Sequence, residues 1–375
     1  MYEKSLNDKK NFLQNGLKEY SIKRNFDFGP SARSNTSNLS KYISHRIINE
    51  YELVNDVLKD HSLKSTEKFI QEIFWRVYWK GWLEHRPKVW TDFLVAEPNY
   101  DKQCYEDALN SNTGIECFDE WVDELKNENY LHNHTRMWFA SIWIFTLNLP
   151  WQLGARFFMK HLFDGDAASN TLSWRWVAGI QTKGKNYIAR SSNIKKFTDN
   201  RYSNIVLNED AASLEDDEFY EIQEIKNLYT SKKNKSLVLF ESDLSIFQRE
   251  DLFNSYENIY LLFLENEERN IKLSENTLNF KKNLLESFKQ KVTKAEFISS
   301  SDFISLNPDL DIIYPSVGEN MDFLKRLDLN TDKLHFIAKK EDLFCWQFAK
   351  KGFFNFKKNI PSIIKFLSHK GNLLE

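Results

Sequence analysis

The sequence predicts an all-α region followed by a small α/β region with a parallel, Rossmann-like sheet. The 375 residues include only 11 glycines and 7 prolines, which favours long helices over a turn-rich β fold. Apolar residues recur at helical spacing up to about residue 205, and short apolar runs alternate with helical segments after residue 236. We therefore predict a helical domain at 1–205, a charged linker or helix at 206–235 and an α/β domain at 236–375.

Three apolar segments justify the helical region. FIQEIFWRVYWKGWLEH (69–85) has apolar residues at helical spacing. RMWFASIWIFTLNLPW (136–151) is almost continuously apolar, but it is too short to span a membrane and opens on Arg136. We predict that it is a buried helix and that Pro150 ends it. WQLGARFFMKHLF (151–163) predicts the next helix.

The second half of the chain differs from the first half in composition and in its predicted elements. LNEDAASLEDDEFYEIQEIKNLYTSKKNKS (207–236) is acidic and then basic, which predicts a solvated helix and linker. Helical KKNLLESFKQKV (281–292) lies among the segments with strand character, which are 236–244, 258–265, 294–299, 310–316 and 333–339. This alternation predicts a largely parallel sheet. The sequence contains no GxGxxG or GxxxxGK[ST] nucleotide fingerprint there.

Charge and cysteine content restrict the functional class. The net charge of −3 argues against a basic nucleic-acid binder as a whole, although it is compatible with a local basic groove. The three cysteines, Cys104, Cys117 and Cys345, form no CxxC pair, which predicts reduced thiols in a cytoplasmic protein. No signal peptide or membrane-length apolar run is evident, so we expect a monomer without a membrane partner. The 11 tryptophans fit either core packing or stacking of planar ligands.

The segment HLFDGDAASNTLSWRWVAG (161–179) combines acids, an amide and large aromatics. In a helix, Asp166, Asn170 and Trp174 share one face, and Trp176 points elsewhere. A buried asparagine needs a hydrogen-bond partner, which a planar heterocycle would supply. A capped helix with core aromatics explains the same pattern equally well.

The segment NTSNLSKYISHRI places hydroxyl groups at a predicted helix start. Thr36, Ser37 and Ser40 are followed by the cations Lys41 and Arg46. Free backbone N–H groups, hydroxyls and cations together indicate an anion site, and a plain Ser/Thr N-cap is the simpler alternative.

The segment EIFWRVYWKGW places an acid, aromatics and a base on one helix face. Glu72, Trp75, Arg76 and Trp79 follow helical spacing. A core helix seldom buries Glu and Arg unless they are paired, so this face indicates a polar site.

The segment LHNHTRMW contains two histidines two positions apart. On a helix, His132 and His134 do not converge, and no cysteine or acid stands at a usual ligand spacing nearby. We therefore predict no metal site here and expect hydrogen-bonded core histidines.

Together and in this order, the four motifs resemble the FAD-binding domain of the DNA photolyase/cryptochrome family. The segment TSNLSKYIS, after Y…RNF, is similar to the family's flavin-phosphate segment, and EIFWRVYW to its ELxWReFy helix. TGIECFDEWVDELKNENYLHNHTRM is similar to TGxPxxDAxMRxLxxTGxMHNRxRM, and FDGDAASNTLSWRW to DGDxAxNxxxWxW. The resemblance covers about residues 18 to 205 and implies an all-α fold with bound FAD.

The resemblance implies a role for each motif residue around FAD. Asp164 would pair with Arg136, and Asp166 would meet the polar edge of the flavin ring. Asn170 would face the flavin N5 atom, and Trp174 would be the proximal electron donor. Trp151 would be the next member of the electron relay. The residues implied at the pyrophosphate are Tyr20, Thr36, Ser37, Leu39, Ser40 and Arg76.

The resemblance also implies a substrate, a cyclobutane pyrimidine dimer in UV-damaged DNA. The residues implied to bind the lesion are Glu72, Trp75, Asn133, His134, Met137 and Trp176. Glu72 would hydrogen-bond the flipped bases and act catalytically with Trp174, Trp151 and Asn170. The (6-4) photolyases carry histidines where this chain has Asn133 and Met137, so a (6-4) lesion is disfavoured. The implied activity is that of a deoxyribodipyrimidine photo-lyase.

Three departures from the family pattern bear on function. His134 replaces the family's usual arginine. The distal relay tryptophan has no match near Pro98, and Tyr100, Trp90 or Trp143 are possible substitutes. The segment SLVLFESDLSIFQREDLF (236–253) resembles the opening of the family's antenna domain, which implies a swapped domain order. Its usual arginine pair is replaced by Glu and Ser, so the antenna pigment stays unassigned.

Two other functions fit the same motifs. A cryptochrome-like blue-light receptor would use the same flavin site without repair, and a flavin-bound interaction protein would use no light chemistry. For a DNA-binding protein, the basic residues that could line a groove, or simply form a solvated face, are Arg175, Lys183, Lys185, Arg190, Lys195 and Lys196.

Overall fold

A computed structural model describes residues 1–306, 309–327 and 334–368. The end of the predicted α/β domain, 369–375, and position 333 of a predicted strand lie outside these ranges. No helix within them is both long and apolar enough to cross a membrane.

Helices account for the first half of the chain. Their bounds are α1 Tyr2–Asn11, α2 Leu17–Lys23, α3 Ser40–Ile43, α4 Glu50–Asp60, α5 Leu63–Glu84, α6 Lys88–Val95, α7 Lys102–Leu109, α8 Glu116–Glu128, α9 Asn133–Ser141, α10 Trp151–His161, α11 Ala167–Ala178 and α12 Ser191–Phe197. Single π-helical turns, Phe12–Gly16 and Ile142–Thr146, join α1 to α2 and extend α9. The helix that was predicted to end at Pro150 ends earlier, at Thr146, and Pro150 is the N-cap residue of α10.

Strands and further helices follow. The strands are β1 Leu228–Tyr229, β2 Ser236–Leu239, β3 Asn258–Leu262, β4 Ala295–Ile298, β5 Leu310–Ile313 and β6 His335–Ile337. The helices are α13 Glu250–Asn254, α14 Glu275–Lys291, α15 Ser300–Ser305, α16 Glu319–Arg326, α17 Lys340–Trp346, α18 Phe353–Lys357 and α19 Ile360–Ser368. All strand pairs are parallel, in the order β1-β6-β5-β2-β3-β4. The predicted parallel sheet is therefore confirmed, and its strand order reverses between β2 and β5.

The predicted helix in the charged linker is wrong. Residues 206–227, which we call the strap, contain no helix. Backbone N–H groups of the strap bond to other segments instead, as Leu214 N does to Ala178 O at 3.0 Å and Gln223 N to His85 O at 2.8 Å. These bonds replace the intrahelical ones, so the strap runs across the helical region before it enters β1.

The C-terminal helices pack on the helical region. Trp346 of α17 and Phe353 of α18 belong to the same buried cluster as α5, whereas a second, smaller cluster lies on the other face of the sheet. A buried ion-pair network reinforces this contact, because Arg46 is 2.6 Å from Asp342 of α17 and 3.1 Å from Asp243, which follows β2. The two regions therefore share one core.

Candidate functional site

A cavity of about 510 Å³ opens between α5, α9, α10 and α11. Its volume lies within the ~300–1,000 Å³ that is typical of ligand pockets. The predicted site residues that line it are Glu72, Trp75, Arg76, Asn133, His134, Arg136, Met137, Asp164, Asn170, Trp174 and Trp176. Three sequence segments about 30 or more residues apart thus converge on one cavity. The Nδ2 atom of Asn170 donates to Ala155 O at 2.9 Å, which fixes the orientation of its amide at the cavity wall.

A buried carboxylate holds two arginines at this cavity. Arg136 Nη2 donates to Asp164 Oδ2 at 3.0 Å, and Arg76 Nη2 lies 3.6 Å from the same oxygen. Burial alone would raise the pKa of Asp164, but the charges of Arg136 and Arg76 outweigh it and lower the pKa. Asp164 is therefore ionised at neutral pH and orients both guanidinium groups.

A second cavity, of about 150 Å³, continues from the first. The two share Arg24, Arg76, Arg136 and Asp164. The predicted phosphate residues that line the second cavity are Tyr20, Thr36, Ser37, Ser40 and Arg76. Hydroxyl and guanidinium groups therefore surround one end of a continuous space.

A helix begins in this segment as predicted, at Ser40, but the alternative of a plain Ser/Thr N-cap is wrong. The helix α3 has only four residues, and its N-cap residue is Leu39, which makes no side-chain cap. Leu39 is fully buried and does not line either cavity. The hydroxyls of Thr36 and Ser37 therefore reach the cavity from a loop.

Glu72 has a partner that the sequence reasoning missed. Arg24 Nη1 donates to Glu72 Oε1 at 2.8 Å, and both residues line both cavities. Burial raises the pKa of Glu72, although the charges of Arg24 and Lys68 oppose that shift. Arg24 belongs to the RNF triplet before the hydroxyl segment, but nothing local to that triplet indicates its partner.

Aromatic rings form the outer wall of the cavity. Trp75 stacks on Phe353 of α18 with ring centroids 3.6 Å apart and planes 12° apart. Trp176 stacks on Tyr187 with centroids 5.8 Å apart. Phe353 was not predicted, because it lies far along the chain in the region assigned to the α/β domain.

His134 is held from several sides. Its Nδ1 atom is 3.0 Å from Asn25 O, its Nε2 atom is 3.3 Å from the Tyr187 hydroxyl, and its ring stacks on Trp138 at 4.1 Å. Desolvation lowers the pKa of His134. The ring is therefore neutral at pH 7 and lines the cavity without a positive charge.

Trp174 connects the cavity to the surface through other rings. Its ring centroid is 6.3 Å from that of Trp143, which is 5.9 Å from Tyr105, which is 5.1 Å from Tyr100. Tyr100 is 39% exposed. Two of the possible distal substitutes therefore lie on one chain of ring contacts that begins at Trp174.

Trp151 does not line the main cavity. It is buried, stacks on Phe93 with centroids 5.5 Å apart, and Phe93 is 5.5 Å from Trp90. Its surroundings include Arg175, whose Nη2 atom donates to Asp216 of the strap at 2.8 Å. Trp151 thus lies under the strap.

The predicted basic groove needs one correction. Arg175 is buried and paired with Asp216, so its charge is already compensated and it is not a groove residue. The remaining predicted groove residues are exposed, namely Lys183, Lys185, Arg190, Lys195 and Lys196.

Asp166 lies beside the predicted site rather than in it. Its Oδ1 atom accepts from Ser169 N at 2.8 Å as the N-cap of α11, and its Oδ2 atom accepts from Arg76 at 3.0 Å. It lines a separate cavity of about 80 Å³ at the carboxyl ends of β2 and β5, where Glu241 pairs with Arg269 at 3.1 Å. This crevice is the switch point of the sheet, but it is much smaller than the ~300 Å³ at the low end of ligand pockets.

Comparison with known proteins identifies the helical region. Residues 69–205 match the family model of the FAD binding domain of DNA photolyase. Residues 69–205 therefore carry a photolyase-type FAD-binding domain. A deoxyribodipyrimidine photo-lyase of Streptomyces griseus is 34% identical over 150 residues, which are 39% of this chain and 33% of that protein. The enzyme of the same name from Escherichia coli is 28% identical over 189 residues, or 47% of this chain and 39% of that protein.

A solved structure is also similar. The bacterial class III photolyase from Agrobacterium tumefaciens is 26% identical, with a TM-score of 0.46 over 52% of this chain and 42% of that one. This chain matches no more than two fifths of the two curated photo-lyases named above.

The residues at the two cavities fit the FAD of this photolyase-type domain. Ser40 Oγ and Asp164 Oδ1 are buried and make no hydrogen bond within 3.5 Å among the described residues, although Ser40 lies near enough to Asp164 to help lower its pKa. Both residues line the second cavity. A dinucleotide with donors and acceptors would satisfy such atoms. The arginines, with Thr36 and Ser37, offer charge and hydrogen bonds to a pyrophosphate.

Proposed function

We propose that the protein repairs cyclobutane pyrimidine dimers in DNA in a light-driven reaction that uses FAD. The observation that carries the proposal is one cavity that combines two sets of residues. Asn170 and Trp174 stand on one wall, and Glu72 and Trp75 stand on another. A flavin receptor needs the first set, but only a protein that admits a substrate beside the flavin has a use for the second.

The chain would hold FAD through its arginines and hydroxyls. Arg136 and Arg76, oriented by Asp164, would balance the negative charge of the pyrophosphate, and Thr36 and Ser37 would donate to it. Asn170 would present its amide to the ring system. When bound, FAD supplies light absorption and the transfer of one electron to the dimer.

Glu72 would act on the substrate. Its carboxylate, which Arg24 holds at 2.8 Å, would accept a hydrogen bond from a ring N–H of the flipped bases. Trp75 and Trp176 would enclose the flipped bases between aromatic surfaces. The exposed lysines and arginine beyond Trp176 would bind phosphates.

Trp174 would carry electrons between the cavity and the exterior. Its contact with Trp143, followed by Tyr105 and the exposed Tyr100, offers a route that does not need a distal tryptophan. Trp151 stays a proposed relay member, although its ring lies under the strap and away from the cavity.

The decisive experiment measures repair of an oligonucleotide that carries one thymine dimer, in the light and in the dark, with the FAD-loaded protein. We expect restoration only in the light. Glu72→Gln should retain FAD and lose about tenfold or more of its preference for damaged DNA, since a hydrogen bond to a charged group contributes about 1.5–3 kcal/mol. Glu286→Gln, which makes the same change at an exposed position on distant α14, is the control.

Three results would contradict the proposal in different ways. An FAD-loaded wild type that changes its absorption in light but repairs nothing indicates a receptor. A wild type without any light response indicates a flavin-bound interaction protein. Loss of FAD from Glu72→Gln shows that Glu72 has been wrongly assigned to the substrate side.

A further inference from the structure

An exposed aromatic ring lies on α18, outside the helical domain and one residue beyond the ring that stacks on the cavity residue Trp75. Phe354 of α18 is 77% exposed, and its ring centroid is 6.5 Å from that of Phe353, the ring that stacks on Trp75. A single exposed apolar side chain needs no explanation by itself. Phe354 differs from such a side chain in two respects. Two successive ring contacts connect it to the cavity residue Trp75, and lysines flank it in sequence.

Three exposed lysines flank this residue in sequence. Lys350, Lys351 and Lys358 are exposed, and none makes an ion pair within the part of the chain that the structure describes. We call these residues and Phe354 the C-terminal patch. In a chain with a net charge of −3, a local group of three uncompensated cations next to an aromatic ring is complementary to a nucleic-acid strand.

The backbone of the patch is held firmly while its side chains face solvent. The Tyr78 hydroxyl donates to Lys351 O at 3.0 Å, and Arg86 Nη2 donates to Lys350 O at 2.8 Å. Phe356 is buried and contacts Tyr78 with ring centroids 5.7 Å apart. The patch is thus anchored on α5, the helix that carries Glu72 and Trp75.

We propose that the C-terminal patch binds DNA next to the lesion, with Phe354 stacked on a base left exposed when the dimer leaves the duplex. The inference rests on the proposed repair function. Removing a nucleotide pair from the stack costs a few kcal/mol and exposes the faces of neighbouring bases. An aromatic side chain that stacks on such a base recovers part of that loss, and the lysines bind the flanking phosphates.

The test measures binding of the FAD-loaded full chain in the dark to a duplex with one thymine dimer and to the same duplex without damage. We expect Phe354→Ala to bind the damaged duplex ~5- to ~150-fold more weakly, because one base–aromatic stack contributes about 1–3 kcal/mol. Affinity for the undamaged duplex should change little. The control is Ile304→Ala, which also removes an exposed apolar side chain, 51% accessible, from distant α15.

The lysines are tested by salt dependence. Lys350→Ala with Lys351→Ala should weaken binding to both duplexes and lower the slope of log K against log salt by about 0.9 for each lost phosphate contact. Lys102→Ala with Lys272→Ala removes the same charge from exposed positions elsewhere and should leave the slope unchanged.

The outcomes separate the two proposals. A wild type without preference for the damaged duplex contradicts the repair function. If the wild type prefers the damaged duplex, but Phe354→Ala binds that duplex as tightly as Ile304→Ala does, only the proposal for the C-terminal patch is overturned. If Phe354→Ala binds both duplexes more weakly by the same factor, the patch proposal is also overturned, because the ring then contacts ordinary duplex rather than the opened site.

Discussion

Replacing Gly154 by alanine should disturb the flavin site through Trp174. Gly154 lies in α10, and a Cβ atom there would stand 2.3 Å from Cη2 and 2.6 Å from Cζ3 of Trp174. Ordinary contacts begin at about 3.4 Å, so the ring must move by more than a small adjustment. Phe158 and Trp143 pack against Trp174 with ring centroids 5.0 and 6.3 Å away, which leaves the cavity as the free direction.

The expected energies follow from two opposing terms. Overpacking a core costs about 1–3 kcal/mol, whereas alanine in place of glycine within a helix gains about 1 kcal/mol. The free energy of unfolding should therefore fall by roughly 0–2 kcal/mol. Gly81→Ala offers a matched control, because its Cβ would stand 2.5 Å from Trp346 on α17, away from the cavity.

Three measurements separate these variants. Urea unfolding should show a similar small loss of stability in both. FAD occupancy and the rate of light-driven bleaching of its visible absorption should fall in Gly154→Ala and stay at wild-type values in Gly81→Ala. Wild-type occupancy and bleaching in Gly154→Ala would refute the assignment of Trp174 to the flavin wall.

Two further predictions concern buried carboxyl groups. Asp164→Asn should lower the free energy of unfolding by about 2 kcal/mol. This loss is smaller than the ~3–5 kcal/mol for breaking a fully buried ion pair, because the two arginines are partly exposed. The variant should also lose FAD on dialysis. Urea unfolding and visible absorbance check this, and retained FAD would contradict it. Burial raises the pKa of Glu84 to about 7, so the folded chain binds this proton more tightly than the unfolded chain does between about pH 4.5 and 7. The free energy of unfolding of the wild type should therefore fall as pH rises through that window. Glu84→Gln should remove up to ~3 kcal/mol of this pH dependence. If the free energies of unfolding of the wild type and the variant change with pH in parallel, Glu84 does not titrate there.

Local patterns predicted most of the elements, whereas the convergence of the motifs was implied by the resemblance to a known family. The apolar periodicity of α5 and the Pro150 boundary depend on near neighbours in sequence, so they are visible without a structure. The approach of Asp164 to Arg136 was implied by resemblance, since no local rule connects residues on separate helices.

Long-range pairings were not predictable in the same way. Arg24 and Glu72 are 48 positions apart, and either could have found another partner. The strap is not helical for a related reason. Its composition suits a solvated helix, but bonds from Leu214 and Gln223 to distant carbonyls satisfy its backbone without helical turns. Tertiary contacts decided both cases.

The candidate site extends well beyond the residues that match the family model. That match covers 69–205, yet Arg24, Thr36 and Ser37 line the phosphate end, and Phe353 supports Trp75 from the C-terminal third. A ring stacked at 3.6 Å restricts the orientation of Trp75, so the geometry of the cavity wall that carries Trp75 depends on the docking of α18 onto α5. The C-terminal third of the chain therefore acts on the site through Trp75, whether or not the small crevice in its own sheet binds a ligand.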